Sequence, residues 1–265
     1  MNQIQKITSL VQELNEHRHA YYNLNAPTIT DKEYDRLFDE LQNLESETGF
    51  ILSSSPTQTV GSYPVSSLKK VQHPIPLLSL DKTKQVSEIT ALLARNHALL
   101  MLKLDGLTTK LVYEDGHLIQ ASTRGNGETG EEITHNLPAY QNVPLSIPYQ
   151  KRLTITGESY IHTNDFERLK ETLTDSNGKK SRNARNLVSG TVRSLNPKTC
   201  EKRCVYFSPF NVLEGLDESP YSDSRQMRFS LLKELGFDTC PYISIEGPAP
   251  SVELVKISID TLVAE

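Results

Sequence analysis

Cysteine is scarce in this chain: Cys200, Cys204 and Cys240 are the three thiols among 265 residues. Three thiols cannot build a disulfide framework. The Cys200/Cys204 pair also lacks a second pair or a nearby histidine to complete a zinc site. They read as packing residues, a reducing cytoplasm is the expected location, and no residue is assigned to a metal. Long apolar runs are missing too. No segment approaches the ~20 consecutive apolar residues of a membrane-spanning helix, so no membrane partner is expected. The N-terminus, MNQIQKITSLVQELNEHRHAYY, is amphipathic and carries acids, which argues against a secretory signal. Repeats and low-complexity tracts are absent as well.

What remains is a polar globular chain, 37% hydrophobic and 23% charged, long enough for one large domain or two ordinary ones. Its charge is unevenly spread. Between Lys179 and Arg203 stand eight basic residues (Lys179, Lys180, Arg182, Arg185, Arg193, Lys198, Lys202, Arg203) and one acid, Glu201. That stretch carries +7 and leaves −12 for the rest of a chain whose total is −5. One basic segment in an acidic chain points to an anionic partner touched at one place.

The first ~50 residues predict a helical hairpin. Ile4, Ile7, Leu10, Val11 and Leu14 form one apolar stripe, and Pro27 interrupts it. Thr30-Asp31-Lys32-Glu33 then opens a capping box, with Tyr34, Leu37, Leu41 and Leu44 as the second stripe. Residues 53–67, rich in serine and proline, read as a loop. Beyond Pro76 the pattern changes. Residues 86–96, 166–174, 184–194 and 224–236 read as helices, and 99–104, 109–114, 117–124, 152–161 and 204–213 as strands. Asp115-Gly116 is a hairpin turn. The expected fold is α+β: a small helical unit over 1–52, then a domain over 53–265 built on antiparallel sheet.

Two glycine-containing motifs compete for attention. Gly125-Asn126-Gly127-Glu128-Thr129-Gly130 has the G-x-G-x-x-G spacing of dinucleotide folds, but Pro138 stops any long helix behind it and the preceding strands are hairpin-linked. It reads as a turn. Lys103-Leu104-Asp105-Gly106, at the end of an apolar strand, is K-x-D-G. Taken alone it is a strand end with a snorkelling lysine, or else a nucleophile. An amine attacks phosphorus only when unprotonated, which burial or neighbouring cations favour.

Context decides between them. Ser79-Leu80-Asp81 lies upstream, Thr123-Arg124-Gly125-Asn126-Gly127 downstream, then Gly157-Glu158, then Asn183-Ala184-Arg185-Asn186 running to Arg193. With Tyr21-Tyr22, Asp31 and Tyr34-Asp35 in the hairpin, this order closely resembles the N-terminal half of bacterial NAD-dependent DNA ligases, from about residue 12 to about residue 240. The resemblance implies that Lys103 attacks the α-phosphate of NAD, forming lysyl-AMP and releasing NMN, with Mg²⁺ assisting. Asp105 would orient the amine or the nucleotide. Arg124 would contact the nucleotide beside its phosphates, Glu158 would accept from the ribose, and Ser79 and Leu80 would line the adenosine pocket. Tyr21, Tyr22, Asp31, Tyr34 and Asp35 would hold the NMN half. Arg185 and Arg193, eight residues apart and so near one helix face, would meet the phosphates of nicked double-stranded DNA.

The departures are informative. Met101 stands where that family has a glutamate, Asn126 where it has the aspartate of R-G-D-G, Thr156 where it has an arginine, and Ala184 where it has a proline. The family continues to a D-G-x-V-x-K strand and to DNA-clamping domains. Here residues 259–265 read as a decayed copy of that strand, with Glu265 in place of its lysine. The expectation is an adenylation module that seals DNA poorly by itself and relies on a partner chain for clamping. The alternative is a degenerate nucleotide-binding paralogue without catalysis. A basic-patch nucleic-acid-binding protein is a third reading.

Overall fold

The computed structural model describes residues 3–22, 28–52, 54–57, 68–78, 83, 85–93, 97–173, 183–245 and 250–264. The hairpin forms as its pattern predicts. Helices α1 (Gln3–Tyr22) and α2 (Asp31–Thr48) pack through Ile7, Leu10, Val11, Leu14 and Leu41, joined by Tyr34, Leu37, Phe38 and Leu44. Ile4 alone of the first stripe is exposed. Thr30 closes the capping box: its hydroxyl accepts from Glu33 N, and the Glu33 carboxylate accepts from Thr30 N at 3.0 Å. Both N-terminal donors are thereby satisfied reciprocally. Phe50 and Leu52 belong to the same core, and Ser55 and Thr57 donate to Glu45, so the chain leaving α2 folds back on it. Most of the loop expected over 53–67 lies outside the described residues.

Past the hairpin come β1 (Lys70–Gln72), α3 (Val86–Leu92) and β2 (Ala98–Met101). Next are β3 (Leu107–Glu114), β4 (His117–Thr123), β5 (Thr129–Glu131) and a 3-10 turn, Thr134–Ala139. The chain continues through β6 (Leu153–Tyr160), α4 (Thr163–Thr172), α5 (Ala184–Val192), α6 (Pro197–Glu201) and β7 (Tyr206–Glu214). It ends with α7 (Arg225–Glu234), β8 (Tyr242–Ile245) and α8 (Val252–Ala264). The centre is a four-stranded antiparallel sheet in the order β4-β3-β6-β7, flanked by the pairs β1-β5 and β2-β8. Asp115 and Gly116, both at positive φ (49° and 78°), make the tight β3–β4 turn. Pro209 sits in β7, an edge strand, where a missing N–H is tolerated.

The sheet has two unlike faces because side chains alternate along each strand. In the β3–β6 register Leu111 opposes Ile155 and Tyr113 opposes Leu153. These four are fully buried in the main core with Phe207, Val188, Val192 and Leu232. The opposite face carries Thr108, Lys110, Thr154, Thr156 and Glu158. Glu158 and Thr108, which the candidate site uses, stand on this polar face.

Two expectations are corrected. Residues 259–264 do not form a degenerate strand: α8 (Val252–Ala264) occupies them, with Val255 and Leu262 buried and Ile259 packed against Val255's cluster, while Glu265 lies outside the described residues. Spacings of four and three residues match a helical stripe, and Val255 and Ile259 of it pack with Leu93 and Ile245. The strand expected over 99–104 ends at Met101, so Lys103 stands on the segment beyond it. The G-x-G-x-x-G segment turns from β4 into β5, whose first two residues are its Thr129 and Gly130, and opens no helix. Cys200 and Cys240 are buried and all three cysteines are free thiols. Among the described residues no helix is long and apolar enough to cross a membrane.

Ile155, with no exposed surface at the centre of β6, tests the core. Ile155→Ala is expected to lower the unfolding free energy by about 2–5 kcal/mol, read as a lower midpoint in urea with an unchanged slope. An unshifted midpoint would show that the sheet face is not the core of the fold.

Candidate active site

Glu158 organises the polar face. It lies on β6 directly opposite Thr108 on β3, with 7% of its surface exposed. Its carboxylate accepts from Gly106 N at 3.1 Å and from the Thr108 hydroxyl at 3.0 Å. Burial raises its pKa. The Arg185 guanidinium, the Thr108 hydrogen bond, the Lys103 ammonium and the Gly106 N–H oppose that rise. One buried carboxylate therefore gathers the K-x-D-G segment, β3 and the N-terminal turn of α5. Gly106 has to be glycine: a Cβ there would come within 2.0 Å of Ser159 O and 3.2 Å of Glu158 Cγ. The Asp-Gly of the motif is thus a close approach of two backbones as well as a turn.

Lys103 and Asp105 are exposed on this segment. Asp105 accepts from Arg185 Nη1 at 2.6 Å. Arg185 is mostly buried, with 19% of its side chain exposed, and its Cζ lies 5.7 Å from the centre of the Tyr21 ring on α1. A guanidinium over an aromatic face is attractive at that distance. Asn183 caps α5 by accepting from Asn186 N at 2.8 Å, which fixes the turn that presents Arg185. The structure thus brings Lys103, Asp105, Glu158, Arg185 and Tyr21 together. Arg124 joins them through its backbone, whose N–H donates to Thr108 O at 3.0 Å.

Tyr34 stacks on Phe38, with ring centres 6.2 Å apart, and packs against the hairpin core. Asp35 is exposed on α2. Tyr22 and Asp31 are on α1 and α2, their side chains outside the described set, as are Ser79 and Leu80 altogether. Arg193 does not share a face with Arg185. It follows the last residue of α5 and forms a forked pair with Glu131, Nε to Oε2 at 2.7 Å and Nη2 to Oε1 at 3.4 Å. The two side chains are only 10% and 2% exposed. As the C-cap of α5, with its N–H still bonded to Ser189 O, Arg193 is tied to β5 by this pair.

The departures from the family pattern also have structural places. Met101 is half-buried on β2 opposite Tyr242. Asn126 accepts from Glu128 N and Thr129 N at 3.1 and 2.8 Å, closing the β4–β5 turn from its side chain. Thr108 is the site residue that sequence reasoning missed. Only the register that sets it opposite Glu158 reveals it. Among the described residues no group of three histidine, cysteine or acidic side chains is arranged to hold a metal ion.

Comparison with known proteins follows the same outline. Residues 65–259 match the NAD-dependent DNA ligase adenylation domain, and residues 1–61 match the DNA ligase-like N-terminal NAD+-binding domain. The DNA ligase of Lachnoclostridium phytofermentans is 40% identical over 259 residues, 97% of this chain and 39% of that protein. That of Ruminiclostridium cellulolyticum is 42% identical over 237 residues, 89% of this chain and 36% of that protein. The DNA ligase of Alkaliphilus metalliredigens is 34% identical over 267 residues, covering 97% and 40%. The chain thus spans about two fifths of the length of these relatives. Helical hairpin, polar sheet face and K-x-D-G segment all fall inside the matched regions, and the chain belongs to the NAD-dependent DNA ligase family.

Proposed function

We propose that this chain is the adenylation module of an NAD-dependent DNA ligase, with residues 1–52 holding the NMN half of NAD and residues 53–265 carrying the transfer. The convergence of Lys103, Asp105, Arg185 and Tyr21 around buried Glu158 supports this reading most directly. Unprotonated Lys103 Nζ attacks the α-phosphorus of NAD. The new N–P bond replaces the P–O bond of the diphosphate bridge, NMN leaves with the bond's electron pair, and the amine's surplus proton passes to solvent. Arg124 neutralises phosphate charge as it moves to the leaving group. Glu158 accepts from the ribose, and Asp105 orients the amine or the nucleotide. Ser79 and Leu80 line the adenosine pocket. Tyr21, Tyr22, Asp31, Tyr34 and Asp35 hold the nicotinamide ribotide by stacking and polar contacts.

Mg²⁺ belongs to this reading only in the form that suits its chemistry. It binds mainly through substrate phosphates and water, with few protein carboxylates, and its contribution is to neutralise phosphate charge. The near carboxylates are already engaged, Glu158 by Gly106 and Thr108 and Asp105 by Arg185, so no side chain is assigned to the ion. Met101, an apolar residue at the place of an adenine-reading acid, favours a second reading: a paralogue that binds NAD without forming the adduct.

Each assignment has its own test. Incubation with NAD and Mg²⁺ is expected to add one AMP to the intact mass of the wild-type chain and nothing to Lys103→Ala. An adduct that survives Lys103→Ala excludes Lys103 as the nucleophile, while bound NAD without any adduct supports the paralogue. Deleting residues 1–52 is expected to abolish NAD binding in calorimetry while the remaining domain still unfolds cooperatively, and undiminished affinity would remove NMN binding from the hairpin. On nicked duplex, weak binding that falls steeply with salt is expected, reduced by Arg185→Ala. Arg193→Ala should instead lower stability by about 3–5 kcal/mol, because Glu131 keeps a buried charge without its main partner. Multiple-turnover sealing by this chain alone would show that a partner supplying DNA-clamping parts is dispensable.

A further inference from the structure

His73 takes no part in the chemistry proposed above, yet it lies against the turn that carries Arg124. It immediately follows β1 and is 7% exposed. Its backbone N–H donates to Glu128 O at 2.7 Å, and Leu77 N donates to Gly127 O at 2.8 Å. The segment 73–77 therefore runs along the 127–128 side of the turn. The imidazole reaches the other side. Nε2 is 3.1 Å from Thr123 O and 3.1 Å from Arg124 O. Carbonyl oxygens only accept, so this arrangement assigns the proton to Nε2. Among the described residues Nδ1 is buried without a partner, which suits a neutral ring that cannot gain a second proton there cheaply. Burial lowers the pKa of His73, and the Lys110 ammonium on β3 adds to the effect against the two carbonyls.

The ring fits because residue 130 has no side chain. A Cβ on Gly130 would stand 2.9 Å from His73 Nε2 and 1.8 Å from Thr123 O. The sequence thus supplies both the donor and the gap it enters. On the far side, Arg124 N donates to Thr108 O, while the Thr108 hydroxyl donates to Glu158. Arg124 is therefore gripped at its own N–H by β3 and at its own carbonyl by His73 from outside the turn and by Gly127 N at 3.1 Å from within it. The two glycines that follow, Gly125 and Gly127, both have positive φ (57° and 96°). Glycines leave a backbone unusually free, so an external clamp on this turn has a definite task.

We propose that His73 is the positioning residue for Arg124: by sharing one N–H between the carbonyls of Thr123 and Arg124, it sets the backbone from which Arg124 reaches the phosphates of NAD. The role of Arg124 rests on the adenylation reading above; the clamp on the turn does not. His73 touches no substrate and acts only through the turn.

Two amides separate this role from packing. The Gln side-chain nitrogen falls near the place of Nε2, and the Asn nitrogen near that of Nδ1. His73→Gln therefore keeps the donor and His73→Asn loses it, with similar polarity in both. In the protein without NAD, His73→Asn is expected to speed amide hydrogen exchange over residues 124–129 about tenfold, the equivalent of one hydrogen bond. His73→Gln should remain near wild type. In calorimetry with NAD, His73→Asn is expected to weaken binding about tenfold, with no further loss when the change is made in an Arg124→Ala background. Unchanged exchange in His73→Asn overturns the proposal, as does equal damage from Asn and Gln. A full additional loss on top of Arg124→Ala overturns it too. If even the wild-type chain fails to bind NAD, the adenylation reading falls, and the exchange comparison alone decides whether His73 holds the turn.

Discussion

A carboxylate taken out of water must be matched by donors or charge, and Glu158 is the point where this fold meets that demand. Leaving a buried charge uncompensated costs several kcal/mol, so the elements around Glu158 are constrained together. Gly106 must bring its N–H in, which requires a residue without a side chain beneath Ser159 O. Thr108 must face the same way as Glu158, which requires the β3–β6 register as found. Arg185 must bring its charge near, which requires α5 to begin where Asn183 caps it. A slip of one residue between β3 and β6 would turn every side chain of the slipped strand to the wrong face. The apolar partners Leu111–Ile155 and Tyr113–Leu153 resist that slip from the other side of the sheet.

The two arginines of the basic stretch show how position overrides composition. Arg185 lies in the first turn of α5, between Asp105 and the Tyr21 ring, and so joins the K-x-D-G segment to the helical hairpin. Arg193 lies just past the helix end and is absorbed by Glu131, which Lys70 also approaches at 3.8 Å. Eight residues of separation would align them on one face of a longer helix. In the fold Arg185 joins the site and Arg193 ties α5 to β5.

The β4–β5 turn has the same logic on a smaller scale. Its glycine spacing imitates a dinucleotide fingerprint, but the physical reasons for its glycines differ. Gly125 and Gly127 take left-handed backbone angles, and Gly130 clears space for the His73 ring. Asn126 closes the turn through its side chain. The nearby histidine, the asparagine and the backbone of β3 together hold a segment that glycine alone would leave loose.

The sequence by itself determined the elements in outline. Apolar stripes at helical spacing placed α1 and α2, the Thr30–Glu33 box placed the start of α2, and Asp115-Gly116 placed the β3–β4 hairpin. Those signals are local, since each depends on residues a few positions apart. Motif order identified the family because several short patterns recur together, and it marked Lys103, Asp105, Arg124, Glu158 and Arg185 as candidates. The closing segment misled because a few apolar residues fit a strand or a helix equally well, and packing beside Leu93 and Ile245 chose the helix α8. Tertiary structure alone decided that Thr108 bonds Glu158, that Arg193 turns to Glu131, and that His73 reaches the carbonyl of Arg124. Each of those contacts joins residues about fifty or more positions apart, so it depends on strand register and helix length, which short-range spacing does not fix.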